Sequence, residues 1–253
     1  MSDYNREFSR YTVIDSQPST GEGAVASRFM ANVFMWMFVA LGISTIMAVL
    51  FAYEPAFSSL LYDQFPQGIR LTGLGIFVSF APIIFVLIMS FAFSRLSSTL
   101  LTLFLLLFAA AMGMSLSTLL MVYTSGSVIS CFGAAAGMFG VMAFMGYTTK
   151  QDLTSFGRLL MMGLVGIIIA SLINMFIGSP AINYLISIIG VAVFTGLTAY
   201  DVQTLKRIGA GIEYEGTSAN ETSKLAIMGA LRLYLDFINL FIMLLRLFGD
   251  RRN

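Results

Sequence analysis

The chain has 253 residues, of which 58% are hydrophobic and 11% are charged, and its mean hydropathy is +0.87. Soluble domains carry about 25% charged residues, so this composition is typical of a protein that lies in a membrane. The net charge of +1 gives no reason to expect nucleic-acid binding. The absence of histidine excludes a Ser-His dyad, a histidine zinc site and a histidine-ligated haem.

The N-terminal segment, residues 1–28, is polar and charged. A secretory signal would have a short apolar core of about 7–15 residues near its start, whereas the first apolar run here is longer and begins late. We therefore predict a disordered cytoplasmic tail over residues 1–28. A transmembrane domain over 29–249 and a short C-terminal tail over 250–253 follow it.

Seven apolar segments are long enough to cross a bilayer, which takes roughly 20 residues. They are residues 29–52, residues 71–94, two spans within the uncharged stretch 96–149, two within the uncharged stretch 159–199, and residues 225–248. Small polar turns at 124–127 and 178–180 divide the two long stretches. The predicted fold is an all-α integral membrane protein with seven transmembrane helices, and residues 209–223 form a loop before the last one.

The basic residues predict that the N-terminus is cytoplasmic, because cytoplasmic loops carry an excess of Lys and Arg. With the N-terminus inside, nine basic residues lie on the inner side and four on the outer side. The inner ones are Arg6, Arg10, Arg28, Arg95, Lys150, Arg158, Lys206, Arg207 and Lys224, and the outer ones are Arg70, Arg246, Arg251 and Arg252. A basic C-terminus on the outer side is discordant, and a re-entrant seventh segment is the alternative to seven full spans.

Two acids occupy unusual positions: Asp236 lies inside the last apolar segment, and Asp201 closes the segment before it. A carboxylate at membrane depth costs about 2.5–3.5 kcal/mol by insertion scales, so such a residue indicates a functional site. Asp201 lies five residues before Lys206, and Asp236 lies four residues after Arg232. If both basic residues mark the inner face, both acids are roughly 6–8 Å deep on neighbouring antiparallel helices.

Two touching carboxyl groups in a low-dielectric site cannot both ionise cheaply, so Asp201 and Asp236 would share one proton. The protonated pair would hold the two helices together through a hydrogen bond. The deprotonated pair would repel and would offer oxygen ligands to a hard cation such as Ca²⁺. The spacing thus indicates a pH-sensing gate and a calcium site at these two residues.

Simpler interpretations of the same residues stay open. Arg232 and Asp236 are four residues apart, the spacing of a salt bridge along one helix. Asp201 would equally pair with Lys206 or Arg207 at the membrane interface.

Further residues are candidate partners of the acids. Asn239, one helical turn past Asp236, is either a ligand or part of a helix–helix hydrogen bond. Arg95, at the end of the second span, either balances the acid pair or marks the interface. The fourth span carries small residues from Gly133 to Gly137, followed by Gly140 and Gly146, and these predict close packing against a neighbouring helix.

Four segments carry a family resemblance: residues 145–157, 171–176, 196–206 and 233–241. With these segments in this order, the chain resembles the Bax inhibitor-1 family, the transmembrane Bax-inhibitor-motif proteins, and in particular its bacterial branch of the YccA/YbhL/YetJ type. The resemblance implies a seven-helix fold in which the last helix is central and a location in the bacterial inner membrane.

The resemblance also implies a function. Bacterial relatives are described as pH-sensitive calcium leak channels gated by an aspartate pair, and Asp201 and Asp236 match the two positions. An arginine of the second helix is said to contact the pair, and Arg95 is the candidate for it. Other bacterial members are linked to the membrane protease FtsH, so the alternative function is a regulator of such a protease, with residues 1–28 as its binding segment.

An enzyme is not predicted. An aspartyl intramembrane protease also uses two helical aspartates, but its usual Gly-x-Gly-Asp sequence is absent, since Thr198-Ala-Tyr precedes Asp201. No cofactor is expected, and Ca²⁺ is treated as a transported or transiently bound ion.

Overall fold

A computed structural model describes residues 23–65 and 68–252. Its elements, in chain order, are α1 (Ala24–Tyr53), α2 (Pro55–Leu61), β1 (Tyr62–Phe65), β2 (Gly68–Leu71), α3 (Gly73–Phe91), α4 (Ser98–Val122), α5 (Ser125–Thr148), α6 (Thr154–Ile177), α7 (Pro180–Glu215) and α8 (Ala219–Phe248). Residues 1–22 of the predicted cytoplasmic tail lie outside the described residues, and α1 begins at Ala24 rather than at Phe29.

Seven of these helices, α1 and α3 to α8, are long and apolar enough to cross a membrane. The predicted class, an all-α protein with seven spans, is confirmed. The predicted turns at 124–127 and 178–180 lie at helix boundaries, and side-chain capping explains why the helices begin there. The side chains of Thr124 and Ser179 accept backbone N–H groups in the first turns of α5 and α7, which leaves fewer of those donors without a partner.

The last helix is the central one, as the resemblance implies. In its most apolar 18-residue stretch 72% of the residues are buried, against 17–44% in the other six spans. α8 packs against α1, α4, α5 and α7, while α3 packs on α4 and α6 packs on α7. Because α8 faces protein over most of its surface, it can carry polar side chains that a lipid-facing helix could not.

The predicted loop over residues 209–223 is wrong. α7 continues to Glu215 and α8 begins at Ala219, so that three residues join them. Gly216 ends α7 in the left-handed conformation with φ of 63°, and the Ser218 side chain accepts the N–H of Glu221. Hydropathy shows only where a helix is apolar, whereas these capping residues mark where the two helices end.

Beyond the apolar part, both helices are held by specific contacts. Ile212 is buried, and the Glu213 side chain accepts the N–H of Gly23 at the start of α1. Lys224 is 4% exposed, pairs with Glu221 at 3.0 Å and lies 4.8 Å from the ring centroid of Phe93. These contacts explain why the polar ends of α7 and α8 remain helical.

The C-terminus settles which form the seventh segment takes. α8 is one continuous helix, and the residues after it pair with the connection between α4 and α5. Thr124 N–H donates to Asp250 O at 2.9 Å, and Arg252 N–H donates to Val122 O at 2.8 Å. The chain therefore ends on the side opposite the α7–α8 turn, and the re-entrant alternative is wrong.

The predicted close packing of the small residues of α5 is right for Gly146 and wrong for Gly133, Gly137 and Gly140. Gly133 and Gly137 are exposed, and a Cβ atom at either would meet open space within the described chain. The buried residues of α5 lie on another face, which includes Ala135 and Phe139 and packs on α7 and α8. The close approach of backbones occurs at Gly146, which lies against the Ala199 backbone of α7.

Candidate functional site

The structure brings Asp201 of α7 and Asp236 of α8 together. Each residue is only 5% exposed, and the two carboxyl groups lie close enough to interact with each other. A hydrogen bond between two carboxyl groups requires a proton on one of them, because an ionised carboxylate can only accept. The two buried acids are thus neighbours across the α7–α8 interface.

The tight turn between α7 and α8 explains why the two acids lie at similar distances from that turn along their helices. At 1.5 Å per residue, Asp201 lies about 21 Å before the end of α7, and Asp236 lies about 25 Å after the start of α8. Glycine then permits the close approach of the helices. Gly229 of α8 receives the Leu205 side chain of α7, and a Cβ atom at position 229 would collide with it.

Arg232 is the cation of this site. Its Nε atom lies 3.5 Å from Asp201 Oδ2, and its side chain is 49% exposed whereas that of Asp201 is 8% exposed. Arg232 also attracts Asp236 electrostatically, but the ion pair within 4 Å is with Asp201. The interpretation that Arg232 and Asp236 form a simple salt bridge along α8 is therefore wrong. The guanidinium group of Arg232 pairs with Asp201 on α7.

Asp236 has no comparable partner of its own. Its Oδ2 atom is fully buried and accepts no hydrogen bond from any part of the chain that the structure describes. A charged oxygen in this position would bear the full cost of desolvation. Asp236 is thus the less compensated of the two acids.

The alternative partners of Asp201 are occupied elsewhere. Lys206 Nζ donates to Tyr147 O at 2.7 Å and lies 4.8 Å from the centroid of the Tyr147 ring. Arg207 pairs with Asp152 at 2.7 Å. Neither side chain balances Asp201, and that alternative is wrong.

A polar contact that the sequence analysis missed lies two residues after Asp201. Gln203 accepts the N–H of Leu153 at 2.9 Å, and its amide donates to Gln151 O at 2.7 Å. It therefore ties the α5–α6 connection to α7. A buried amide two residues after a buried acid was the available signal, since buried polar groups need partners.

Asp152 lies in the same α5–α6 connection and also contacts α7. Its carboxylate accepts the Thr154 hydroxyl and backbone N–H as well as the Arg207 guanidinium. The Thr154 hydroxyl first, and Arg207 after it, hold the pKa of the Asp152 carboxyl well below its usual range. The connection is thus anchored to α7 by an ionised side chain at neutral pH.

Two predicted partners do not reach the pair. Arg95 is exposed in the turn between α3 and α4, and within residues 23–65 and 68–252 it forms no ion pair with either acid. The reason is that α3 packs on α4 rather than on α7 or α8. Asn239 is half-buried one turn beyond Asp236 and is not hydrogen-bonded to the acids.

The described residues contain no group of three or more His, Cys, Asp or Glu side chains that could hold a metal ion. Ca²⁺ takes six to eight oxygen ligands, and the pair supplies two carboxyl groups. The pair alone therefore supplies fewer ligands than a tight calcium site requires.

Fold and site together define a polytopic helical membrane protein with a buried acid pair between its central helix and an adjacent one. Residues 26–253 match the profile of the family described as "Inhibitor of apoptosis-promoting Bax1", and the chain belongs to this Bax inhibitor-1 family. The resemblance stated from the sequence is confirmed. This family is not a known enzyme family.

Several relatives match nearly the whole chain. "Inner membrane protein YbhL" of Escherichia coli (strain K12) is 45% identical over 224 residues, covering 88% of this chain and 92% of the relative. A protein of Borreliella burgdorferi is 40% identical over 252 residues, covering 95% and 100%. Protein RP147 of Rickettsia prowazekii is 37% identical over 254 residues and covers both chains completely.

Proposed function

We propose that this protein is a cation leak pathway, mainly for Ca²⁺, that is closed by a proton shared between Asp201 and Asp236. The observation that carries the proposal is the contact of two buried carboxyl groups on two packed spans. Such a contact depends on protonation, because two ionised carboxylates in contact repel each other strongly in a medium of low dielectric.

Loss of the shared proton would act on the packing of α7 against α8. Arg232 offsets one negative charge, so the second charge is left on a buried oxygen without a partner. Repulsion would then separate the two helices at this level and admit water and ions. The leak is therefore expected to increase as the pH rises.

Calcium suits this site as a transported ion. The separated carboxylates are hard oxygen ligands, and the Asn239 carbonyl lies one helical turn further along α8. A site with so few protein ligands binds weakly, which a conducting pathway requires because the ion must also leave.

We infer that the protein lies in the bacterial inner membrane with its N-terminus in the cytoplasm. The name of the Escherichia coli relative supports the membrane, and the distribution of Lys and Arg supports the orientation. The acid pair would then lie toward the cytoplasmic face and respond to cytoplasmic pH.

The direct test is Ca²⁺ flux into liposomes that contain a trapped calcium dye. Wild-type protein is expected to give a flux that rises with pH. The Asp201→Asn/Asp236→Asn double variant cannot exchange a proton at this site, so its flux should lose that dependence. Asp250→Asn, which changes an exposed acid just after the end of α8, is the matched control and should behave as wild type. A double variant that keeps the wild-type pH profile would exclude the gate.

A further inference from the structure

A groove runs from near the level of Asp236 to the side of the molecule on which the C-terminus lies. It encloses about 510 Å³ between α5 on one side and α1 and α4 on the other, and Ile238 and Phe241 of α8 form its floor. We call it the α1–α5 groove. Its volume falls within the range of about 300–1,000 Å³ that is typical of small-molecule sites.

The groove is open toward the bilayer because its walls do not pack on each other. α5 packs mainly on α7 and α8, whereas α1 and α4 pack together. Val49 of α1 is 46% exposed and Ile129 of α5 is 72% exposed, and both line the groove. Since both walls are membrane-spanning helices, the groove opens into the hydrocarbon region of the membrane.

The lining presents hydrocarbon rather than free polar groups. Ser44 donates to Ala109 O at 2.7 Å and also contacts the Tyr234 hydroxyl at 2.7 Å. Thr45 donates to Leu41 O at 2.8 Å. The hydroxyl groups along the groove are therefore satisfied by the protein, and an apolar occupant leaves none of them without a partner.

The length of the groove corresponds to one leaflet. From Leu41 to Tyr53, α1 rises about 18 Å along the lining. One half of a bilayer core is about 15 Å thick. A single acyl chain that enters from the membrane surface would reach the inner end of the groove.

The outer end of the groove is polar and basic. The Ser125 hydroxyl lies 3.4 Å from the Tyr53 hydroxyl and accepts from Arg252 Nη2 at 3.1 Å. The neighbouring Arg251 lies 6.0 Å from the centroid of the Tyr123 ring. The backbone pairing of the C-terminal residues with the α4–α5 connection keeps both arginines at this end.

Two acidic residues also lie at this end, but neither neutralises the charge of the two arginines through an ion pair. Glu54 and Asp250 are exposed, and in the part of the chain that is described neither forms an ion pair with Arg251 or Arg252. Guanidinium groups bind phosphate through paired N–H donors. The groove thus has an apolar interior and a cationic opening at the level of lipid headgroups.

We propose that the α1–α5 groove binds one phospholipid with an anionic headgroup. One acyl chain fills the groove against α8, and the phosphate group is held by Arg252 together with the hydroxyls of Ser125 and Tyr53. The bound lipid connects α5 to α1 and α4 on the side where these helices do not pack. The proposal does not depend on the leak pathway, because neither Asp201 nor Asp236 lines the groove.

Lipid binding is tested on purified protein in detergent, by native mass spectrometry and by the rise in Tm on adding phosphatidylglycerol or phosphatidylcholine. Wild-type protein is expected to retain one phosphatidylglycerol and to be stabilised by it more than by phosphatidylcholine. Arg252→Gln removes a charge-assisted hydrogen bond and should weaken phosphatidylglycerol binding about tenfold or more. Arg246→Gln, an exposed arginine in the last turn of α8, is its control.

The apolar part of the site has its own pair of variants. Val49→Trp fills the groove and should abolish binding of both lipids, whereas Val39→Trp, at a similarly exposed position of α1 outside the groove, should not. Phosphatidylglycerol with a photoreactive acyl chain should label the lining of the wild-type protein, a result that requires no variant to fold. Inorganic phosphate alone should not raise the Tm.

Three results would overturn the proposal. The first is wild-type binding of phosphatidylglycerol by both Arg252→Gln and Val49→Trp. The second is photolabelling spread over the lipid-facing surface without enrichment in the groove. The third is a native mass that corresponds to two protein chains without bound lipid. A second copy of the chain would then be the occupant of the groove.

Discussion

Arg232 shows how one side chain decides the character of the acid pair. It supplies one positive charge to two carboxyl groups and lies nearer Asp201, so Asp236 keeps a buried oxygen with no partner in the described chain. The resemblance had suggested Arg95 for this role, but Arg95 is exposed on another part of the molecule. The counter-charge comes from the central helix itself.

This assignment predicts the effect of removing the charge. Arg232→Gln favours the protonated pair, because the ionised pair loses its nearest cation. The midpoint of the curve of Ca²⁺ flux against pH should therefore move to higher pH. Arg95→Gln should leave the midpoint unchanged. If the midpoint moved with Arg95→Gln and not with Arg232→Gln, Arg95 would be the counter-charge of the acid pair.

Asp152 makes a pH-dependent contribution outside the membrane. Its pKa is lowered in the folded protein by the Thr154 hydroxyl and then by Arg207, so its contacts contribute stability above the ordinary aspartate pKa of about 3.9. That contribution is lost as the pH falls toward the pKa of the folded state. Asp152→Asn should lower the Tm at pH 7, and the difference from wild type should shrink below about pH 4. A constant difference across this range would contradict the assignment.

At the scale of elements, the position of the site depends on how closely α5 approaches α7. Gly146 lies against the backbone of Ala199, two residues before Asp201. Backbone atoms cannot rotate away as a side chain can. The contact therefore fixes the α7 segment that carries the acid.

Gly146→Ala is expected to destabilise the protein, because overpacking in a close contact costs about 1–3 kcal/mol. Gly140→Ala is the matched control on the same helix, since a Cβ atom there meets open space. Thermal unfolding in one detergent should show a lower Tm for the first variant and an unchanged or slightly higher Tm for the second. Equal effects would mean that the α5–α7 contact is not close.

For the whole molecule, seven crossings place the turn between α7 and α8 on the same side as the start of α1. The α1–α3 connection and the C-terminus lie on the other side. With the N-terminus in the cytoplasm, basic residues are concentrated around the end that carries the acid pair. The groove with its two arginines then belongs to the outer leaflet.

Labelling of single cysteines in intact cells tests this orientation. In a Cys131→Ala background, Ser59→Cys in α2 should react with a membrane-impermeant thiol reagent from outside. Asn220→Cys in the first turn of α8 should react only after the cells are opened. Both positions are exposed in the structure. The opposite labelling pattern would invert the orientation.

Sequence alone predicted those features that depend on local free energies. Seven spans follow from length and apolar composition, because moving each such segment into a bilayer is favourable regardless of its neighbours. Thr124 and Ser179 marked two helix boundaries because capping is a local interaction. That Asp201 and Asp236 lie on consecutive helices followed from the order of the last two spans.

The tertiary structure decided everything that depends on which helices meet. The β1–β2 hairpin, the Gln203 contact, the partner of Arg232 and the α1–α5 groove are formed by residues far apart in the chain. An apolar segment is equally stable in lipid or against another helix, so hydropathy cannot tell Gly133 in open space from Gly146 against a backbone. The sequence by itself determined that this is a seven-span membrane protein with one acid in each of its last two spans. Only the packing of α8 among its neighbours determined which residues surround them, because that packing is set by shape and not by hydrophobicity.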